Sequence, residues 1–139
     1  MRTAVVFFYD SDRESVLSVT KGLARGIEAQ GHSCDLIDGN TDVQTKLSAY
    51  QYIAIGHQFS SLLTGKLVNR CSEFLQQAGL IGGKRCFAFT IKKGIGQTKT
   101  LKKLMDLLES EGVFVQFSDQ LQTAVQAETI GKKLQIERP

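Results

Sequence analysis

The 139-residue sequence predicts an α/β fold: one five-stranded parallel sheet, doubly wound, with helices on both faces. Two observations predict it. Short apolar runs rich in β-branched and aromatic residues alternate with segments of helical periodicity along the whole chain, a pattern that implies parallel strands joined by right-handed crossovers. The composition, 42% hydrophobic and 22% charged, is that of a folded chain long enough for its own core. No linker, repeat or composition shift interrupts it, so one domain is expected over residues 1–139.

The elements follow in order. "TAVVFFY", Thr3 to Tyr9, reads as a buried first strand. Val16, Val19, Leu23 and Ile27 then recur at helical spacing, closed by Gly31 as a C-cap. "HSCDLID" is the second strand, and the polar segment Gly39 to Ser48 has room for a short helix. "YQYIAIG" is the third strand, followed by a helical stripe of Leu67, Cys71, Phe74, Leu75 and Ala78 that ends at "GLIGG". "RCFAFTI" is the fourth strand; Leu101, Leu104, Met105 and Leu108 form the next helical face, ending near Gly112. "VFVQF" is the fifth strand. Ala124, Val125, Ala127, Ile130 and Leu134 mark a terminal helix, with Lys132 and Lys133 in its last turn, where cations suit the dipole.

Several function classes are excluded. No apolar run is long enough to span a bilayer, and the apolar start of "MRTAVVFFYD" reads as a strand, not a signal peptide, so a cytoplasmic protein without membrane contact is expected. Cys34, Cys71 and Cys86 are odd in number, far apart and in apolar contexts, and His32 and His57 are not at metal-ligand spacing from them; inert buried thiols and no metal are expected. The net charge of +3 is mild. Its lysines gather in "KKGIGQTKTLKK", Lys92 to Lys103, without aromatic interleaving or a nucleic-acid motif, so nucleic acid is set aside. "GIGQTKT" lacks a glycine before Lys99 and one at the first position of a phosphate-binding P-loop, and is rejected as one.

In parallel sheets of this kind ligands sit outside the carboxyl ends of the strands, at the point where strand order reverses. That edge carries Asp10 to Ser15, His57 to Ser61 and Thr90 to Gln97. At these three loops, and over nearly its whole length, the chain resembles the flavodoxin family. "AVVFFYDSDRESVLSVTKGLARGI" is similar to its first strand, phosphate loop and first helix. "YQYIAIGHQFSSLLTGKLVNRCSEFL" is similar to its third strand, a flavin-contacting loop and the next helix, and "KRCFAFTIKKGIGQTKTLKKLMDLLESEGVFV" to its fourth strand, second flavin loop, helix and last strand. The resemblance implies strand order 2-1-3-4-5, FMN as cofactor, and electron transfer with a redox partner protein. It implies FMN contacts from Ser11, Asp12, Arg13, Glu14, Ser15 and Val16, from His57, Gln58, Phe59 and Ser60, and from Thr90, Lys92, Gly94, Ile95 and Gly96. In that scheme Phe59 and Ile95 flank the flavin ring, and Lys92 or Lys93 favours an anionic reduced flavin. The other reading of Phe59 is a local core residue, and of the glycines a simple turn.

The phosphate loop departs from the family pattern, Ser/Thr-x-Thr-Gly-Asn-Thr. Ser11 matches and Ser15 is a tolerable substitute, but Arg13 replaces a hydroxyl, Glu14 a glycine and Val16 the last hydroxyl. A phosphate beside Glu14 would be repelled, with Arg13 offsetting part of the repulsion. "SDRE" instead fits a capping box in which Ser11 is the N-cap and Glu14 its reciprocal partner. The alternative function is therefore a flavodoxin fold that has lost FMN and serves as a binding or regulatory module. Two further readings fall short. A response-regulator receiver would need an aspartate where the third strand ends in His57 and a lysine where the fifth ends in Ser118 and Asp119. A hydrolase built on Asp10 and His57 with Ser60 or Ser61 as nucleophile lacks a strained elbow around either serine, which leaves His57 as a surface-facing side chain.

Overall fold

A computed structural model describes residues 1–42, 44–59, 63–92 and 97–137. Its strands are β1 (Arg2–Tyr9), β2 (Ser33–Asp38), β3 (Tyr52–Gln58), β4 (Arg85–Ile91) and β5 (Phe114–Leu121). The helices are α1 (Arg13–Ala29), α2 (Thr64–Gln77), α3 (Gln97–Ser110) and α4 (Ala124–Lys133), with a 3-10 turn at Leu47–Ala49. The five strands form one sheet in the order β2-β1-β3-β4-β5, and every adjacent pair is parallel. The expected fold class and strand order are both observed.

Alternation along the central strands builds two cores. Val6, Phe8, Ile53, Ile55, Cys86 and Ala88 point to one face, where Leu67, Cys71 and Phe74 of α2 and Leu104 and Leu108 of α3 cover them. Val5, Phe7, Ala54, Phe87 and Phe89 point to the other, under Val16, Val19, Leu23 and Ile27 of α1 and Ala127 of α4. The helical stripes expected of α1 and α2 are thus the buried ones, and each such large apolar side chain contributes roughly 1.5–3 kcal/mol through burial. Val125 departs from the expectation: it is exposed, because its side of α4 faces solvent.

α1 and α4 approach closely. A Cβ at Gly22 would overlap the Ala124 backbone, and one at Gly26 would overlap the backbones of Glu128 and Gly131. The spacing of four places both glycines on one stripe of α1, where they form a seat for the crossing helix. An ion pair from Arg25 to Glu128, 3.0 Å, closes the rim. Gly31, at φ +98°, ends α1 in the left-handed conformation a C-terminal glycine allows, and its N–H bonds the Glu28 carbonyl at 2.9 Å.

Strand bounds differ from the sequence reading in a way that matters for the edge. β3 continues through His57 and Gln58, and β5 runs on to Leu121. His57 therefore lies within the sheet, paired with Phe8 on one side and Thr90 on the other.

Candidate functional site at the carboxyl edge of the sheet

The parallel register brings Tyr9 of β1 beside Gln58 of β3, and His57 of β3 beside Thr90 of β4. α1 starts directly above the end of β1, and its first N–H groups have no partner inside the helix. The cap is Asp12, not Ser11. Asp12 has non-helical dihedrals (φ −111°, ψ 76°), and its Oδ1 accepts the Ser15 N–H at 3.2 Å. Glu14, assigned above as the reciprocal partner, points outward at 86% exposure and lies 3.6 Å from Arg13. Both Ser11 and Asp12 are good capping types, so their sequence does not choose between them. The ties of the neighbouring residues to β2 do.

Those ties run through Asp38 at the end of β2. Its Oδ2 accepts the Tyr9 hydroxyl at 2.8 Å and Arg13 Nε at 3.0 Å, and its Oδ1 accepts the Asn40 N–H at 3.0 Å. Burial, reinforced by Asp38, raises the Tyr9 phenol, so it stays a donor. Asn40 extends the sheet by one step, accepting the Tyr9 N–H at 3.3 Å and donating to the Tyr9 carbonyl at 2.8 Å. Arg13, read above as a partial offset to phosphate repulsion, is thus held by Asp38. Lys66 of α2 reaches Asp10 at 3.4 Å. The helix start gathers the carboxylates of Asp10, Asp12, Glu14 and Asp38 around the cations of Arg13 and Lys66. Asp38 and Asn40 lay outside the sequence reading; the turn-forming "DGN" after an edge strand was the signal that could have found them.

The remaining site residues fall inside the fold. Val16 is fully buried in the core beneath α1, so its side chain faces the sheet and not the loop. Ser15 lies 3.4 Å from Gln58 Nε2 through its hydroxyl. Phe59 is fully buried among α2 and sheet residues, which supports its core reading over the ring-flanking one. His57 is also fully buried, correcting the surface-facing expectation; the cause is the longer β3, which carries it under α3. Its Nδ1 accepts the Phe59 N–H at 3.0 Å, which fixes the neutral tautomer with the proton on Nε2. Burial lowers its pKa to about 4, with the Thr100 backbone pulling the other way. Asp10 is turned to Lys66, so Asp10 and His57 form no acid–base pair. Thr90 is buried beside His57, while Lys92 is exposed at the edge, its N–H bonded to the Leu121 carbonyl at 3.0 Å. Ser60, Ser61, Lys93, Gly94, Ile95 and Gly96 lie outside the described residues. Burial raises the thiols of Cys34, Cys71 and Cys86; Cys71 and Cys86 are buried as expected, and Cys34 is half-buried.

No protein-family model matches the chain, and no curated protein is significantly similar to it. Solved structures are. A flavodoxin from the domain Archaea superposes with a TM-score of 0.66 at 18% identity, covering 95% of this chain and 94% of that one. Flavodoxin 2 from Bacillus cereus gives 0.68 at 16% identity over 91% and 94%, and a Streptococcus pneumoniae flavodoxin 0.67 at 14% over 95% and 97%. The fold is flavodoxin-like. At the start of α1 the Asp12 carboxylate holds the Ser15 N–H, while the carboxylates of Glu14, Asp38 and Asp10 pair with Arg13 and Lys66. Among the described residues no helix is long and apolar enough to cross a membrane, and no group of histidines, cysteines and carboxylates is placed to hold a metal.

Two outcomes are expected. Asp12→Ala should lower stability by about 1 kcal/mol, the cost of a lost N-cap, and by more than Ser11→Ala does; denaturant midpoints at neutral pH measure both, and the reverse ranking would restore Ser11 as the cap. His57 is neutral when folded and takes up a proton near pH 6.5 when unfolded, so its contribution is fully present above about pH 6.5 and is lost as pH falls toward 4. The loss should reach roughly 3 kcal/mol at most, read as the difference in pH dependence of urea unfolding between the parent and His57→Gln; parallel curves would place His57 in water.

Proposed function

We infer that this chain is a flavodoxin-fold binding or regulatory module that does not hold a flavin phosphate at α1. The observation that carries the reading is the Asp12 carboxylate on the Ser15 N–H, 3.2 Å. An anion bound there would have to displace that cap and sit among Asp10, Glu14 and Asp38, which already engage the nearby cations Lys66 and Arg13. Like charges at such separations cost on the order of 1–4 kcal/mol each near a protein surface. What a flavodoxin helix start gains from a phosphate, this one gains from its own side chain.

A second reading is an FMN-binding redox module working with a partner protein. It is favoured by likeness to flavodoxins over nearly the full chain, 91–95% in the three comparisons above. It then requires a flavin held chiefly by its ring.

Titration with FMN and with riboflavin, which has the same ring and no phosphate, separates the readings. The module reading expects FMN to bind no tighter than riboflavin. It also expects Asp12→Thr combined with Glu14→Gly to improve FMN alone, by roughly tenfold for one recovered hydrogen bond to a charged group. Threonine at Val16 is unsuitable for this test, because its hydroxyl would be buried in the core. Stoichiometric FMN in the parent with at least about tenfold preference over riboflavin would establish the redox reading instead.

A further inference from the structure

At the opposite end of the sheet, away from the loops above, a cavity of about 350 Å³ lies between the start of β3, the first half of β5 and the last turn of α4. Its size is at the lower end of the range for small-molecule sites. Phe117, Ile130 and Leu134 form an apolar wall, and Tyr52, Gln116 and Lys133 supply polar groups.

The strand is modified locally to make this wall. Gln116 and Phe117 are consecutive, yet both line the cavity, which regular alternation forbids. Val115 lies opposite Cys86 and Phe117 opposite Phe87, so Gln116 is an extra residue in β5. Such a bulge re-aims side chains. The Phe117 ring stacks on Phe87 with centroids 5.4 Å apart, which fixes the new direction.

Two polar atoms on the wall are buried without a hydrogen-bond partner among the described residues: the Tyr52 hydroxyl, on a side chain with no exposure, and Gln116 Oε1. Buried polar atoms are paired in the great majority of cases, and two orphans on one cavity point to a ligand that pairs with both. Burial raises the Tyr52 phenol, so it remains a donor at neutral pH. Among the described residues that line the cavity the charge is one-sided. Lys133 lines it and no carboxylate does, while the Arg85 guanidinium lies 5.9 Å over the Tyr52 ring. Three carbonyls in and just after the last turn of α4 are bonded: Gln30 Nε2 donates to Gly131 at 2.7 Å and to Leu134 at 3.0 Å, and Arg85 donates to Gln135 at 3.1 Å. Lys132 pairs with Glu128, and Lys133 is the cation left facing the cavity.

We propose that this cavity binds a small aromatic carboxylate carrying a hydroxyl group. The ring packs against Phe117, Ile130 and Leu134; Lys133 and the Tyr52 hydroxyl donate to the carboxylate; the ligand hydroxyl donates to Gln116 Oε1. The site owes nothing to the carboxyl edge and stands or falls separately from the reading of that edge.

The test uses the full chain, labelled with 15N, and three probes: 4-hydroxyphenylacetate, phenylacetate without the hydroxyl, and tyramine with a cationic head. The expected result is a saturable shift of the Gln116, Phe117, Lys133 and Leu134 amides. Affinity should fall by roughly fivefold or more from 4-hydroxyphenylacetate to phenylacetate, and further to tyramine. Tyr52→Phe and Lys133→Gln should each weaken 4-hydroxyphenylacetate roughly tenfold. Should Tyr52→Phe not fold, the solvent-facing Lys133→Gln decides alone. No shift at about 10 mM probe, equal binding of tyramine, or unchanged affinity in the variants would overturn the proposal.

Discussion

A helix that begins at the carboxyl edge of a parallel sheet must find partners for its first N–H groups, and whatever supplies them decides what else can bind there. Here the supplier is Asp12, through its bond to the Ser15 N–H. Other features of the edge are arranged around that bond. Arg13, the first helical residue, is tied to Asp38, and Asp38 also receives the Tyr9 hydroxyl and the Asn40 N–H. The end of β1, the start of α1 and the turn after β2 are thus joined into one hydrogen-bonded unit. Where the family pattern has a glycine the chain carries Glu14, and the helix start has a side-chain cap.

The two ends of the sheet have opposite characters. The carboxyl edge is crowded with carboxylates and closed beneath by buried side chains: His57 bonded to the Phe59 backbone, Phe59 in the core, Thr90 packed beside His57. The amino end, near α4, has an apolar cavity bordered by Lys133 and Arg85; among the described residues, unpaired buried polar atoms occur at both ends, the Tyr52 hydroxyl and Gln116 Oε1 here, His57 Nε2, Gln58 Oε1 and Thr90 Oγ1 at the carboxyl edge. α4, whose last turn borders the cavity, is seated closely on Gly22 and Gly26 of α1.

The fold was legible because its signals are long and redundant. Apolar runs and helical stripes named all five strands and all four main helices, and the strand order followed from the resemblance. The site was legible only in part. "SDRES" contains two capping residues in succession, and the choice of Asp12 depends on Tyr9 and Arg13 reaching Asp38, residues 25 or more apart in sequence. His57 was misplaced because β3 was ended at Gly56; two further residues of pairing to β1 and β4 bury it. The bulge at Gln116 leaves no mark in sequence, since it is a matter of register between β4 and β5. Neither the cavity it shapes nor the place of Tyr52 on its wall could be read without the pairing.

The proposed reading, that the Asp12 cap on the Ser15 N–H stands where an anion would bind, is tested most directly by titrating the 15N-labelled chain with inorganic phosphate at low ionic strength and following the amides of Arg13 to Val16. The account expects the Ser15 amide to keep its position throughout, with only small, non-saturating drifts that added salt removes. A saturable displacement of the Ser15 and neighbouring amides would contradict it, because phosphate would then have replaced Asp12.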